Sequence, residues 1–212
     1  SAASDVYKRQ EQGKLTAELK KSIEEAATLV VVEDLYRPYR PKRRTRATIA
    51  KEKGLEPLAN IILLQMTKEP LEKEAEAFVS EEKEVKTAKD AIAGACDIIA
   101  ESISDEADYR MEIRRRTEAK GLIVSTAKDE KAESVYENYY EFSEPVSKIA
   151  GHRVLALNRG EKEKFLNVKI EAPTEEILRY LEKKIITKEN PQTKPVLQAT
   201  IEDAYNLSLI HI

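Results

Sequence analysis

A stripe of apolar residues over 85–103 is the feature of this sequence that most constrains its fold. The members of the stripe recur every three or four residues, which is the spacing of one face of an α-helix. They are Val85, Ala88, Ile92, Ala95, Cys96, Ile99 and Ile103. Gly makes up only 6 of the 212 residues, and a chain poor in Gly but rich in Ala, Glu, Lys, Ile and Leu favours helices. The sequence therefore predicts one long central helix over 81–103 in a mainly α protein.

Start and stop signals predict shorter helices on both sides of the long one. Thr45 is placed to cap a helix over 46–53 that Gly54 ends, and Pro57 suits the first turn of a helix over 58–66. The other predicted helices cover 16–27, 29–36, a short segment after Pro70, 105–119, 129–142, a segment opened by Pro173, and a last segment from Val196.

The clearest β signal lies near residue 160. The segments RVLAL (153–157) and FLNVKI (165–170) flank the loop NRGEKEK, and apolar residues alternate with other residues in the second segment. This pattern predicts a β-hairpin near residues 152–171, and LIVSTA (122–127) is a further short strand. The predicted fold class is thus mainly α: an irregular multi-helix array with one long central helix and a β-hairpin.

The two ends of the chain do not continue the patterns beside them. Residues 1–10 and 207–212 resemble translated sequencing-adapter sequence, and we interpret both as artefacts. Between them we expect an N-terminal helical region with a basic, Pro-containing loop (11–80), a long-helix region (81–150), and a region with the β-hairpin and C-terminal helices (151–206). No stretch reaches 18 consecutive apolar residues, so no membrane span is predicted. A single Cys fits a reducing compartment, and we expect a cytoplasmic location.

The sequence offers little material for catalysis. Its only histidines are His152 and His211, and the motifs HExxH, CxxC and the Gly-rich phosphate loops are absent. We expect His152 to begin a strand and Cys96 to be a small core residue. The sequence therefore predicts no enzyme, no cofactor, no metal site and no small-molecule substrate.

Residues 37–46, RPYRPKRRTR, form a basic segment with tyrosines beside its arginines. The candidate nucleic-acid-binding residues are Arg37, Tyr39, Arg40, Lys42, Arg43, Arg44 and Arg46. The planar fork of Arg matches phosphate oxygens, Tyr can stack on a base, and Pro38 and Pro41 stiffen the chain between them. Because the net charge of the whole chain is −3, any affinity for nucleic acid must come from such a local patch.

Three stretches of the sequence together resemble one family. They are EDLYRPYRPKRRTRATIAKEKGLEPLA (33–59), DAIAGACDIIAESISD (90–105) and YYEFSEPVSKIAGHRVLALNRGEKEKFL (139–166). They are similar to the Tex family of bacterial transcription accessory proteins, and the resemblance covers nearly all of 11–206. Members of that family have a helical N-terminal region, an RNase H-like domain, helix-hairpin-helix elements and a C-terminal OB-fold RNA-binding domain. The resemblance implies that this chain is the helical N-terminal part of such a protein, truncated before the RNase H-like domain.

Two functional hypotheses remain open at this point. In the first, the chain is part of an RNA-binding transcription accessory protein and contributes a helical scaffold and an auxiliary nucleic-acid contact through the basic segment. In the second, it is purely a scaffold that docks on other domains of the family protein or on the transcription machinery, and acidic neighbours such as Glu33 and Asp34 pair with the arginines. Whether Arg43 and Arg44 face carboxylates or an open groove would distinguish the two. NRGEK (158–162), at the predicted hairpin tip, is a secondary candidate for contact with nucleic acid or another domain.

Overall fold

The computed structural model describes residues 34–35, 37–39 and 44–211. The predicted helix over 16–27 and most of the one over 29–36 lie outside these residues. Among the described residues the mainly α prediction is confirmed, because helices far outnumber the three strands of one small sheet. The chain divides into two compact units. The first unit comprises the described residues up to Met111 and those from Leu178 onward, and the second unit is Glu112–Ile177.

The helices of the first unit surround one central helix. The α-helices that lie wholly in this unit are α1 Arg46–Glu52, α2 Glu56–Leu64, α3 Leu71–Glu76, α4 Ala88–Asp105 and α8 Lys194–Leu207. Helix α5, Ala107–Lys120, begins in this unit, and α7, Thr174–Ile185, ends in it. Short 3-10 turns occupy Arg37–Tyr39 and Leu209–His211. Helices α1, α2, α3 and α8 all pack against α4, so α4 is the centre of the unit.

The predicted apolar stripe is what buries α4. Ala95, Ile99 and Ile103 of the stripe are at most 3% exposed, as is Ala91 beside them. A Cβ atom at Gly94 would overlap the side chain of Leu55, so the absence of a side chain there lets the neighbouring segment lie close. The predicted stripe is thus buried at Ala95, Ile99 and Ile103, whereas Ala88, Ile92 and Cys96 are only half-buried.

The predicted start of the long helix at residue 81 is wrong, because α4 begins at Ala88. Residues before it form an isolated antiparallel bridge between Ser80 and Val85, and Glu84 adopts a left-handed φ of 61°. Thr87 then caps the helix, since its side chain accepts a hydrogen bond from the backbone N–H of Asp90 at 3.1 Å. Local turn geometry thus sets the start of the helix, which the apolar periodicity alone does not indicate.

Local helix signals elsewhere are confirmed. The side chain of Thr45 caps α1 by accepting a hydrogen bond from the backbone N–H of Thr48 at 3.1 Å. Gly54 has the positive φ, 74°, of a residue that follows a helix C-terminus, and Pro57 lies in the first turn of α2. The helices predicted after Pro70, over 105–119, after Pro173 and near Val196 correspond to α3, α5, α7 and α8.

The second unit is built on a three-stranded antiparallel sheet. Its strands are β1 Leu122–Ala127, β2 Glu141–Pro145 and β3 Leu166–Glu171, in the order β2-β1-β3. Strand β1 is the strand predicted over 122–127, and its Ile123 pairs with Glu144 on one side and Ile170 on the other. Helix α6, Gly151–Lys162, packs against β3. The buried core of this unit is Tyr136, Leu157 and Leu166.

The predicted hairpin near residues 152–171 is wrong in its first arm. Residues 153–157 and NRGEK form α6, while the second arm is a strand that pairs with β1 instead. Leu157 and Gly160, three residues apart, are both buried on one side of α6, which is helical spacing. A run of four apolar residues such as VLAL (154–157) is compatible with either a strand or a helix, and here the packing of Gly160 against Leu166 selects the helix.

Two further predictions in this unit are corrected. His152 does not begin a strand but lies in the first turn of α6, and it is exposed. Residues 129–142 do not form a helix; they contain turns, the 3-10 turn Glu137–Tyr139 and the start of β2. The side chain of Ser134 accepts a hydrogen bond from the backbone N–H of Tyr136 at 3.1 Å, a local bond of the kind that competes with helix formation.

Candidate nucleic-acid interface

The structure describes the two ends of the basic segment. Arg37–Tyr39 forms a single 3-10 turn, Arg44 precedes α1, and Arg46 is the first residue of α1. The predicted contacts Arg40, Lys42 and Arg43 lie outside the described residues, as does the side chain of Tyr39. The surroundings of the predicted binding residues are therefore defined at Arg37, Arg44 and Arg46.

The first end of the segment is bonded to the end of α4. Arg37 donates a hydrogen bond from Nε to Oδ1 of Asp105 at 3.1 Å, and the side chains are 34% and 11% exposed. A second ion pair lies just before it: Nε of Arg110 donates to Oδ1 of Asp34 at 3.2 Å, with both side chains almost fully buried. Arg110 also donates to the backbone carbonyl of Ser104. These bonds join the start of the segment to the end of α4 and to α5.

The second end of the segment is exposed. The guanidinium of Arg44 pairs with Glu52 at 2.9 Å, and that of Arg46 lies 3.9 Å from Asp97. The two arginine side chains are 66% and 67% exposed. Exposed ion pairs of this type contribute only about 0–1 kcal/mol and weaken in salt. A phosphate group can therefore reach Arg44 and Arg46 by replacing their carboxylate partners, Glu52 and Asp97.

A groove of about 380 Å³ runs beside Arg46, between α1 and α4. Its charged lining residues are Arg46, Lys53, Lys86, Glu84, Asp90 and Asp97. Because this lining carries three charged groups of each sign, the groove does not by itself favour an anion. Burial raises the pKa of Asp97, and this effect outweighs the nearby positive charge of Arg46, which lowers the pKa. The groove therefore includes one carboxylate that is easier to protonate than usual.

The described residues contain no cluster of potential metal ligands. No group of three or more His, Cys, Asp or Glu side chains that could hold a metal ion occurs in 34–35, 37–39 or 44–211. Cys96 is half-buried on α4, and burial raises the pKa of its thiol, which disfavours the reactive thiolate. None of the described helices combines the length and apolar composition needed to cross a membrane.

The sequence reasoning missed a second basic surface, on α6. The hairpin prediction put NRGEK at a loop tip, whereas the structure places it in a helix whose exposed residues include His152, Leu155, Arg159 and Lys162. These four residues are spaced three, four and three apart, which places them on one face of a helix. That spacing is the signal in the sequence that could have found the surface.

Comparison with known proteins indicates a single family. The family model described as Tex central region-like matches residues 65–207. The chain is similar to the uncharacterized protein YdcI of Bacillus subtilis, with 52% identity over 92% of this chain and 28% of the relative. It is 36% identical to the transcriptional accessory protein Tex of Neisseria gonorrhoeae, over 75% of this chain and 21% of the relative. It is 28% identical to the human S1 RNA-binding domain-containing protein 1, over 79% of this chain and 17% of the relative. The chain therefore spans less than a third of the length of each of these relatives.

Proposed function

The chain belongs to the Tex family, and from this membership we propose that it is part of a nucleic-acid-binding transcription accessory protein with RNA as its ligand. The match to the family model over 65–207 is the observation that carries the proposal. The names of two relatives support it, because one is a transcriptional accessory protein and the other contains an RNA-binding domain. We further propose that the chain has no catalytic role, acts in the cytoplasm and meets the transcription machinery.

Within this function, the basic segment supplies an auxiliary phosphate contact. Arg44 and Arg46 offer exposed guanidinium groups whose carboxylate partners are also accessible to water. Arg40, Lys42 and Arg43 add positive charge between Arg37 and these two residues. The bond from Arg37 to Asp105 holds one end of the segment on α4, which lowers the ordering cost of binding.

The test is the salt dependence of binding. Affinities for single-stranded RNA and for duplex DNA are measured between 50 and 200 mM salt, for the unaltered chain and for Arg43→Ala/Arg44→Ala. Loss of two phosphate contacts should reduce the slope of log K against log salt by about 1.4 for a single strand and about 1.8 for a duplex. The matched control is Lys68→Ala/Lys89→Ala, which removes two exposed charges elsewhere in the first unit. Equal slopes for the unaltered chain and the arginine variant would contradict the proposal.

One observation favours the scaffold as a second candidate function. Each of the three described arginines of the basic segment already has a carboxylate, since Arg37 pairs with Asp105, Arg44 with Glu52 and Arg46 with Asp97. The variant Glu52→Gln separates the two candidates. A phosphate contact predicts tighter RNA binding once Arg44 loses its competing partner, whereas a pure scaffold predicts no change.

A further inference from the structure

Helix α6 is fixed on one side and exposed on the other. Leu157 and Gly160 are buried toward β3, and a Cβ atom at Gly160 would overlap Leu166. This close packing sets the rotation of the helix about its own axis. The opposite side, which we call the α6 face, consists of exposed residues: His152, Leu155, Asn158, Arg159 and Lys162.

The α6 face carries hydrogen-bond donors and positive charge but no carboxylate. The nearby carboxylates are engaged elsewhere. Glu144 accepts from Nη1 of Arg153 at 2.6 Å, and Glu163 accepts from the hydroxyl of Tyr136 at 2.6 Å. In the part of the chain that the structure describes, Arg159 and Lys162 have no carboxylate within ion-pair distance. This distinguishes them from Arg44 and Arg46. Glu161, the exposed carboxylate within α6 itself, accepts a hydrogen bond from the backbone N–H of Val168 at 3.3 Å.

The contacts around the helix also make the face rigid. The guanidinium of Arg153, on the flank of α6, lies 5.7 Å from the centroid of the Phe142 ring while it bonds to Glu144. Tyr136, whose ring packs 5.8 Å from that of Phe165, belongs to the core beneath the helix. A face held in place by such packing loses little conformational freedom when it meets a ligand.

We propose that the α6 face binds the sugar-phosphate backbone of a nucleic-acid strand. From His152 to Lys162 the helix axis rises about 15 Å, which is long enough to contact more than one phosphate of a strand. Arg159 and Lys162 provide the charge, and Asn158 adds an amide donor for a phosphate or sugar oxygen. The exposed side chain of Leu155 lies about one turn before them on the same face and can pack on a sugar. The surface lies in the second unit and uses no residue of the basic segment; the inference rests on the proposed nucleic-acid-binding function and adds a second site to it.

The experiment measures binding of the whole chain to three labelled probes by fluorescence anisotropy. The probes are a 20-nucleotide RNA strand, the DNA strand of the same sequence and its DNA duplex, each titrated between 50 and 200 mM salt. Removing two contacts through Arg159→Ala/Lys162→Ala should weaken binding on the order of tenfold near 0.1 M salt, and should lower the salt slope by about 1.4 for strands and about 1.8 for the duplex. The probe with the largest loss identifies the kind of strand that the face prefers.

Matched variants separate a contact from a general charge effect. Lys131→Ala/Lys148→Ala removes the same charge from exposed residues of the second unit outside α6 and should change the slope far less. Arg159→Lys/Lys162→Arg should bind as the unaltered chain does. Circular dichroism and thermal unfolding of each variant should match the unaltered chain, because the substituted side chains are exposed.

Three results would overturn the proposal. They are an unchanged affinity and slope in Arg159→Ala/Lys162→Ala, no binding of any probe by the unaltered chain at 50 mM salt, and displacement of the RNA by polyglutamate at equal charge concentration. The last result would assign the face to an acidic protein surface. The Arg43→Ala/Arg44→Ala variant distinguishes the two sites. Loss of binding only in that variant assigns the contact to the basic segment, and loss only in Arg159→Ala/Lys162→Ala assigns it to the α6 face.

Discussion

The two units of the chain are stabilised by different kinds of contact. The first unit is organised around α4, whose Ile99 is completely buried under neighbouring helices. The second unit has a smaller core of Tyr136, Leu157 and Leu166, with aromatic side chains only partly buried around it. Both units contain ion pairs, but the pair of Arg110 with Asp34 in the first unit is almost fully buried, whereas the pairs of Arg116 with Glu112 and Glu176 in the second unit are partly exposed. Because exposed ion pairs are screened more than buried ones and apolar burial responds little to salt or pH, the two units should differ in what destabilises them.

The largest expected effect tests the core of the first unit. Ile99→Ala removes a fully buried side chain from α4 and leaves a cavity, so we expect a loss of about 2–5 kcal/mol in the free energy of unfolding. Hydrogen exchange measured by mass spectrometry should show faster exchange in α4 and α8. The matched control is Leu155→Ala, which truncates a side chain that is 68% exposed and should change stability by no more than about 0.5 kcal/mol. Similar losses in both variants would mean that burial in α4 is not what stabilises the unit.

The next effect concerns a polar clamp within the first unit. The amide of Gln65 is 4% exposed; it donates to the carbonyl of Ile185 at 2.8 Å and accepts from the backbone N–H groups of Thr187 and Lys188. Gln65→Ala leaves these groups without their partner, and we expect a loss of about 2–4 kcal/mol. The first unit is therefore stabilised by these buried hydrogen bonds as well as by the apolar packing around α4.

The control for this clamp is Gln65→Gly, because Gln65 has a left-handed φ of 56° that Gly adopts without strain. If lost hydrogen bonds dominate, urea denaturation should give nearly the same loss for both substitutions. A much milder effect of Gly would instead attribute the loss to backbone strain in the Ala variant.

A smaller effect tests the packing of α6 in the second unit. A Cβ atom at Gly160 would overlap Leu166 and stand 3.2 Å from the ring of Tyr136, so Gly160→Ala should destabilise the unit by about 1–3 kcal/mol. The measurement is hydrogen exchange in β1 and β3, which should accelerate while exchange in α4 stays unchanged. Gly151→Ala is the matched control, since nothing lies within 4 Å of a Cβ at that position. Equal effects of the two substitutions would argue against close packing at Gly160.

Gly160 also shows where sequence reasoning reaches its limit. Thr45, Gly54 and Pro57 could be placed correctly because each acts on backbone groups within a few residues. The role of Gly160 depends on Leu166 in a strand whose own partner, β1, lies about 40 residues earlier in the chain. Without that pairing, a Gly between two apolar segments indicates a turn, which is why the sequence predicts a hairpin.

For the candidate site, the sequence likewise predicts which residues take part but not which contacts they make. The composition of the basic segment is visible in the sequence, but the pairing of Arg37 with Asp105 joins residues 68 positions apart. No local pattern indicates that Arg37 holds the segment in place while Arg44 and Arg46 remain exposed. The α6 face was missed for the same reason as the helix that carries it.

The smallest expected effect is a pH dependence of the second unit that arises from Glu112. The hydrogen bond from Arg115, together with that from Arg116, lowers the pKa of Glu112 to about 2 from the usual 4.5. A carboxylate with a lowered folded-state pKa stabilises the fold fully above its unfolded pKa, and this contribution is lost as pH falls from about 4.5 toward 2. Because the Arg115 side chain is 66% exposed, solvent screening should reduce the contribution to about 1 kcal/mol. The protection factors of the β1 amides, which are corrected for the intrinsic pH dependence of exchange, should therefore fall on acidification in the unaltered chain but less so in Glu112→Gln. Glu69→Gln, in an exposed pair of the first unit, should leave this response unchanged. A response of β1 that is the same in Glu112→Gln as in the unaltered chain would mean that the ion pairs do not distinguish the second unit from the first.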